Sequence, residues 1–460
     1  MAARTIRTDR NTAIRPLSQD FDLRALHRMC PARYPYLLQS TEAQTHLGRY
    51  DILFAFPREE LVLERSGQLG GHRSDDARQF LHALDDWWRE ERQPRNSSQL
   101  PFQGGWFLYL GYELAAEVEP VLDLEPDEVL PAAFAVRCPA AIVRDHHKGQ
   151  SYFVAERTAE SHYDELAADI AHCVDINGTG PSSARHTPAT REDHPDRFLD
   201  AVMRAKDYIG AGDIYQANLS RRWRATVDPS LDATSVYAAL CDANPAPFAG
   251  LVRWRDVTVM SSSPERLVEI RDGAVSTRPI AGTRPRSDDR DLDDSLSAEL
   301  FAHPKERAEH IMLIDLERND LGRICVPGSV EVNEMMVLES YAHVHHIVSN
   351  VRGQLREDIT PGDTIRAVFP GGTITGCPKV RCMQIISELE HGPRGAYTGS
   401  FGYLNRDGSL DLNILIRTMV MQGNSVSLCA GSGIVADSEP QAELAETRAK
   451  AKGMIRALSS

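Results

Sequence analysis

The sequence predicts an α+β protein built on antiparallel sheets, on three observations. Short runs rich in aliphatic and aromatic residues, "DILFAF" (51–56), "GGWFLYLGY" (104–112) and "AAIVRD" (140–145), read as strands and are interspersed with helical stretches. "SLDLNILIRTM" (409–419) alternates, with Leu410, Leu412, Ile414 and Ile416 on one face and Asp411, Asn413 and Arg417 on the other. It follows "TGSFGYL" across "NRDG" (405–408), a hairpin turn, and neighbouring strands joined by tight turns pair antiparallel.

The elements follow in chain order. "ARQFLHALDDWWREER" (77–92) has the spacing of an amphipathic helix. A region rich in Gly, Pro, Ser and Thr begins at Asn177 and divides the chain into an N-terminal region (1–176), an exposed linker (177–195) and a C-terminal region (196–458). After it, "PDRFLDAVMRAKDYIGAGDIYQANLSRRWRA" reads as a helix that ends near Gly210 or Gly212 and leads into a strand.

The chain has 460 residues, enough for a large core, with 42% hydrophobic and 25% charged residues. A net charge of −15 argues against general binding to nucleic acid or anionic membranes, although a bound divalent cation can still reverse the sign of one site. No apolar run is long enough to span a bilayer, and the basic N-terminus lacks the apolar core of a signal peptide. The eight cysteines are dispersed, which suits buried thiols in a reduced cytoplasmic protein.

Two stretches offer paired acids. In "HPKERAEHIMLIDLERNDLGR" (303–323) Pro304 suits a helix start, and Ala308, Ile311, Met312 and Leu316 form an apolar stripe. Glu306 and Glu309 share another face. In "GSGIVADSEPQAELAETRAKAKGM" Ser438 and Gln441 have capping-box spacing, and Glu443 and Glu446 repeat the three-residue interval. Solvated first-turn acids and a surface Glu446–Lys450 pair account for the spacing, as does a Mg²⁺ site of hard oxygens; both readings stay open at this level. Gly431, Ser432 and Gly433 follow the apolar run "SVSLCA" and would let backbone N–H groups approach an anion. "FPGGTITGCPK" (369–379) does not have the spacing of a nucleotide-binding phosphate loop.

Taken together, "GDIYQANLS", "SSSPERL", "RPIAGTRPR", "KERAEHIMLIDLERNDLGR", "HVHHIVSNVRG", "FPGGTITGCPKVR", "GAYTGSFGYL", "LIRT" and "GSGIVADSEPQAELAETRAKA" resemble the chorismate-utilising enzymes, in that family's order over residues 195 to 455. The resemblance implies two large, mainly antiparallel sheets packed as a sandwich with helices outside, the N-terminal region sharing the architecture. It implies that Glu306, Glu309, Glu443 and Glu446 surround Mg²⁺, with Glu309 and Glu446 the direct ligands. Arg417, Tyr397 and the backbone of Gly431 to Gly433 would hold the enolpyruvyl carboxylate, and Thr283, Thr373 and His346 would line the ring. Glu265 matches the general acid that protonates the departing 4-hydroxyl, since hydroxide is a poor leaving group.

Gln216 stands where water-adding relatives have a lysine base; an amide cannot take a proton at neutral pH, which favours ammonia as the nucleophile. At position 281 typical aminodeoxychorismate synthases have a nucleophilic lysine, whereas this chain has Ala281, as anthranilate synthases do. "DIYQANLS" with Asn218, "NPAPFAG" and "PFQGGW" are more similar to aminodeoxychorismate synthase component I. The expected activity is therefore amination of chorismate to 4-amino-4-deoxychorismate, for 4-aminobenzoate and folate synthesis, without a lysine adduct. Anthranilate synthesis is the alternative, and a silent chorismate-binding scaffold is a third. Gln39 in "LLQS" replaces the glutamate of the tryptophan-inhibition motif, which argues against that feedback. No Gly-x-Cys-x-Gly glutaminase motif is present, so ammonia would come from a partner glutaminase subunit, and a separate aminodeoxychorismate lyase would act downstream.

Overall fold

The computed structural model describes residues 6–7, 11–42, 48–72, 79–94, 99–176, 188–341 and 344–459. Two antiparallel sheets form its centre. The first runs in spatial order Ile6–Arg7, Thr12–Leu17, Gln150–Glu156, Ala140–Asp145, Tyr50–Ala55, Tyr36–Gln39, Phe248–Trp254, Val257–Ser263, Thr418–Gln422, Ser425–Ile434, Gln216–Thr226 and Ala189–Glu192. The second runs Ile280–Pro285, Val344–Gln354, Ala274–Thr277, Arg266–Arg271, Leu410–Asn413, Ser400–Asn405, Gly105–Leu110, Ala133–Cys138, Glu60–Leu63 and Leu69–Gly71. Strands from both halves of the sequence interleave in each sheet: Leu37 pairs with Leu251, and Leu108 pairs with Gly402.

The strand Gly105–Leu110 shows why its sequence lacks polar alternation: all six residues are buried. Phe107 and Tyr109 enter the aromatic core between the sheets, while Trp106, Leu108 and Leu110 face the helices outside. Tyr36 stacks on Phe107 with ring centroids 4.1 Å apart, and Phe134 stacks on Trp254 at 3.9 Å. Helices Leu23–Met29, Ala233–Ala243 and Pro440–Ala457 cover the outer face of the first sheet. Phe80–Glu91, Pro304–Gly322 and Pro361–Val368 cover that of the second. The sandwich with outer helices is thus as expected. Among the described residues no helix is long and apolar enough to cross a membrane.

Four local expectations are revised. The run 409–419 is not one strand: Leu410–Asn413 belongs to the second sheet and Thr418–Gln422 to the first, with Arg417 at φ 53° between them. Asn413, Ile414 and Leu415 are buried in succession, so the alternation of the run ends where the chain crosses between the sheets. On the helix Pro304–Gly322, Leu316 is buried and Met312 half-buried as the stripe requires, but Ala308 and Ile311 face solvent, and the inward face also carries His310, Leu313, Ile314, Glu317 and Asp320. Ser438 is not the cap of its helix; Glu439 holds that place and the Ser438 hydroxyl accepts the Val435 N–H. Gly431 to Gly433 lie inside the strand Ser425–Ile434, not at its exit. Of the linker, 177–187 lie outside the described residues, and Ala189–Glu192 form an edge strand against Gln216–Thr226.

Phe107→Ala should lower unfolding free energy by about 3–5 kcal/mol, measured by urea denaturation, because it empties the inter-sheet core beneath Tyr36.

Candidate active site

Two segments cross between the sheets side by side. Ser263 to Arg266 leaves the first sheet for the second, and Ile414 to Arg417 returns. They are tied together: Ile414 N–H donates to the Glu265 carbonyl at 3.0 Å, Ser262 N–H to the Arg417 carbonyl at 3.1 Å, and the Ser263 hydroxyl to the Ile414 carbonyl at 2.5 Å. Glu265 and Arg417 are therefore placed by one paired crossover.

Glu265 is buried, and its carboxyl pKa is raised to about 7. Desolvation is the main cause; the Thr373 hydroxyl, donating at 2.7 Å, the Ile280 N–H and the Lys450 charge act against it. Arg417 has no ion pair or hydrogen bond from its guanidinium among the described residues. Its burial lowers its pKa, opposed by Tyr397 and Glu446 nearby. A half-buried guanidinium with no ion pair or hydrogen bond among the described residues, and only Glu446 as a nearby opposite charge, suits an anionic ligand.

The edge strand Ile280–Pro285 forms another wall. A bulge between Ala281 and Thr283 centres on Gly282, at φ +72°. A Cβ there would lie 2.9 Å from Glu306 Oε2 and 2.8 Å from Leu300 Cδ1, and the left-handed φ strains any residue that carries one. Thr283 Oγ1 meets His346 Nδ1 at 2.9 Å. Burial, and secondarily Arg417, lower the His346 pKa to about 4, so the imidazole is neutral at pH 7. Ala281 is half-buried and follows Ile280, whose N–H faces the Glu265 carboxylate.

Strands Gln216–Thr226 and Ser425–Ile434 form the floor, with Asn218 opposite Gly433. A Cβ on Gly431 would lie 2.5 Å from the Tyr397 hydroxyl and 2.6 Å from Asn218 Oδ1, and one on Gly433 would lie 2.6 Å from Gln216 Nε2. The two glycines make room for these polar heads. Buried Ser432 donates to the Glu443 carboxylate.

The structure groups Glu265, Thr373, Arg417, Tyr397, Gln216 and Gly431 to Gly433 with the Thr283–His346 pair. The glutamates are present but engaged. Glu306 pairs with Arg284 at 3.3 Å, Glu446 pairs with Lys450 at 2.6 Å, Glu443 holds Ser432, and Glu309 is half-buried. Among the described residues no three His, Cys, Asp or Glu side chains converge as a ready metal cluster. The oxygens are of the kind Mg²⁺ takes, but as arranged they do not form its cage.

Two features were missed by sequence reasoning. Lys450 makes the surface-type pair with Glu446 but also donates to the Gly431 carbonyl at 2.9 Å, which turns it inward. Behind the Gly372–Ile374 turn that carries Thr373 lies buried Glu317, its pKa raised by desolvation and Asp320, with Asp320 paired to Lys379. Glu317 lies seven residues after buried His310, a helical repeat that could have marked this face.

A buried acid, an arginine without an ion pair among the described residues and a polar strand floor, carried by a two-sheet α+β sandwich, make up the candidate site. The model for chorismate binding enzymes matches residues 34–456, and the chain belongs to that family. It is 40% identical to an anthranilate synthase component I-like protein of Synechocystis, over 96% of this chain and 88% of that protein. It is 39% identical to aminodeoxychorismate synthase component 1 of Bacillus subtilis, over 82% of each. The structure of anthranilate synthase component I from Streptococcus pneumoniae superposes with a TM-score of 0.78 at 32% identity, covering 89% of this chain and 92% of that one.

Burial of Glu265 has a stability consequence. Between its ordinary value of 4.5 and about 7 the unfolded chain releases a proton that the folded chain keeps, so stability falls as pH rises through this window. Glu265→Gln should therefore melt with wild type near pH 4 and be more stable above pH 7, by no more than on the order of 3 kcal/mol, in thermal scans across pH.

Proposed function

We propose that this enzyme aminates chorismate with ammonia to give 4-amino-4-deoxychorismate and water. The observation that carries the reading is Arg417, a half-buried guanidinium with no ion pair among the described residues, held by the same paired crossover as a buried carboxylic acid whose pKa is raised to about 7. Chorismate presents carboxylates to the first and a poor leaving group to the second. Arg417 and Tyr397 would hold the enolpyruvyl carboxylate against the strand of Gly431 to Gly433. Thr283, Thr373 and neutral His346 would line the ring.

Glu265 would give its proton to the 4-hydroxyl, which leaves as water. A C–N bond forms at C4 and the amine's surplus proton returns to the Glu265 carboxylate, so the step balances without an external acid. Gln216 has no basic nitrogen and leaves water unactivated, whereas ammonia needs no base. No lysine adduct is possible at Ala281.

Desolvation raises the pKa of all eight thiols, so none offers the ready thiolate of a glutaminase. A partner glutaminase subunit would supply ammonia, and a lyase would convert the product to 4-aminobenzoate. Mg²⁺ belongs to the same reading: Glu309 and Glu446 would bind it, with Glu306 and Glu443 beside them, once Arg284 and Lys450 yield their present pairs. When bound it would neutralise the ring carboxylate of the substrate.

Ala281 favours a second reading, anthranilate formation, in which ammonia adds at C2 and pyruvate is eliminated. Relatives of both names occur at similar identity. Purified protein with chorismate, Mg²⁺ and ammonium separates the two. 4-Aminobenzoate that appears only when a lyase is added supports the proposal, and anthranilate without lyase overturns it. Glu265→Gln should lower kcat about a hundredfold or more while chorismate binding persists. Calorimetric titration should show Mg²⁺ binding in the presence of chorismate that is lost in Glu446→Ala; equal binding by the variant would remove Glu446 from the metal site.

A further inference from the structure

The floor of the site contains two acceptors that no other described residue uses. Gln216 Oε1 and Asn218 Oδ1 are buried and have no hydrogen-bond partner among the described residues. They belong to alternate residues of one strand, so both side chains leave the same face. The intervening Ala217 and the next residue Leu219 point the opposite way, into the cluster formed with Pro195–Gly210 and Lys379–Leu389. Across the strand pair, Gly433 and Gly431 carry no side chain where the two amides lie. Asn218 Oδ1 is within reach of the same point as the Tyr397 hydroxyl, 2.6 Å and 2.5 Å from it, which puts Asn218 at the substrate wall.

A buried acceptor left unpaired costs more than an ordinary hydrogen bond contributes, so such atoms imply a donor that arrives with the reactants. The groups that surround the floor and handle the substrate's anionic parts, Arg417, Tyr397 and Lys450, are cations or hydroxyls. They suit carboxylates and do not need two neutral acceptors. The two oxygens call for a donor, an N–H or O–H group on a molecule that turns no negative charge toward the strand.

We propose that Asn218 and Gln216 together form the seat for ammonia, and that Asn218 is a positioning residue for the nucleophile. The proposal rests on the amination reading above. Ammonia would donate one N–H to each amide oxygen, which turns its lone pair away from the strand and toward the ring. Neither amide can remove a proton, so a water molecule in the same seat would be held but not activated.

The test is steady-state kinetics of Asn218→Val and Asn218→Ser with ammonium as the variable substrate, alongside chorismate binding followed by tryptophan fluorescence. Valine keeps a strand-compatible side chain and removes the acceptor, while serine keeps an oxygen. The KM for ammonium should rise about tenfold in Asn218→Val and less in Asn218→Ser, with chorismate affinity within about twofold of wild type. A KM for ammonium that stays unchanged in Asn218→Val, or a loss confined to chorismate binding, overturns the proposal; the second would assign Asn218 Oδ1 to the substrate's own hydroxyl. Serine serves as the check if the valine variant does not fold: a serine variant with unaltered ammonium KM and weakened chorismate binding would equally overturn it. Failure of the amination reading looks different, since wild type would then release no aminated product at any ammonium concentration.

Discussion

The site depends on the two chain segments that pass between the sheets. A chain leaving one sheet for another gives up its ladder partners, and backbone groups at a buried crossing must find others. Here the two crossings satisfy each other, through Ile414 N–H to Glu265, Ser262 N–H to Arg417 and the Ser263 hydroxyl to Ile414. The Thr418 hydroxyl donating to Ser261 at 2.8 Å closes the same seam. The acid and the unpaired arginine are thus set by backbone pairing, which has little freedom, and not by mobile surface loops. Arg417 also takes a left-handed φ, a conformation that a side-chain-bearing residue adopts at a cost and that the surrounding pairing holds in place.

What surrounds the crossing is unusually polar for a protein interior, and each buried group is disposed for use. Desolvation raises the Glu265 pKa to about 7, while the same cause acting on a base leaves His346 neutral. The Arg417 guanidinium has no ion pair or hydrogen bond among the described residues. Gln216 and Asn218 keep acceptors unfilled. Each departs from what a stable core would choose, and the cost is offset by the large apolar clusters between and outside the sheets. Glu317, Asp320 and Lys379 extend this polar interior behind Thr373, which explains why the inward face of Pro304–Gly322 is acidic.

The family resemblance was legible because its motifs are strings of residues in order, and the strand and helix positions followed from period and punctuation. Ala140–Asp145 and the hairpin at 405–408 lie where the pattern placed them. Pro304 and Pro440 do open their helices. The failures have one origin. Ser438 has the chemistry of a cap, but the turn before it sends its hydroxyl to Val435. The run 409–419 alternates like a single strand, yet the chain changes sheets within it. Ala308 and Ile311 are apolar and face solvent, while His310, Glu317 and Asp320 of the same helix turn inward beside Leu313, Ile314 and Leu316.

The sequence by itself determined the α+β class, the family, the acid Glu265, the absence of lysine at 281 and the two glutamate pairs. These are properties of residue type and spacing, which the chain carries before it folds. Only the tertiary structure decided that Glu265 is desolvated, that Arg417 makes no ion pair among the described residues and that the glutamates are engaged with Arg284, Lys450 and Ser432. It also decided that the amides of Gln216 and Asn218 lie over two glycines with their oxygens unfilled. Desolvation and hydrogen-bond pairing depend on groups brought from distant parts of the chain, and no local pattern records which of them will meet.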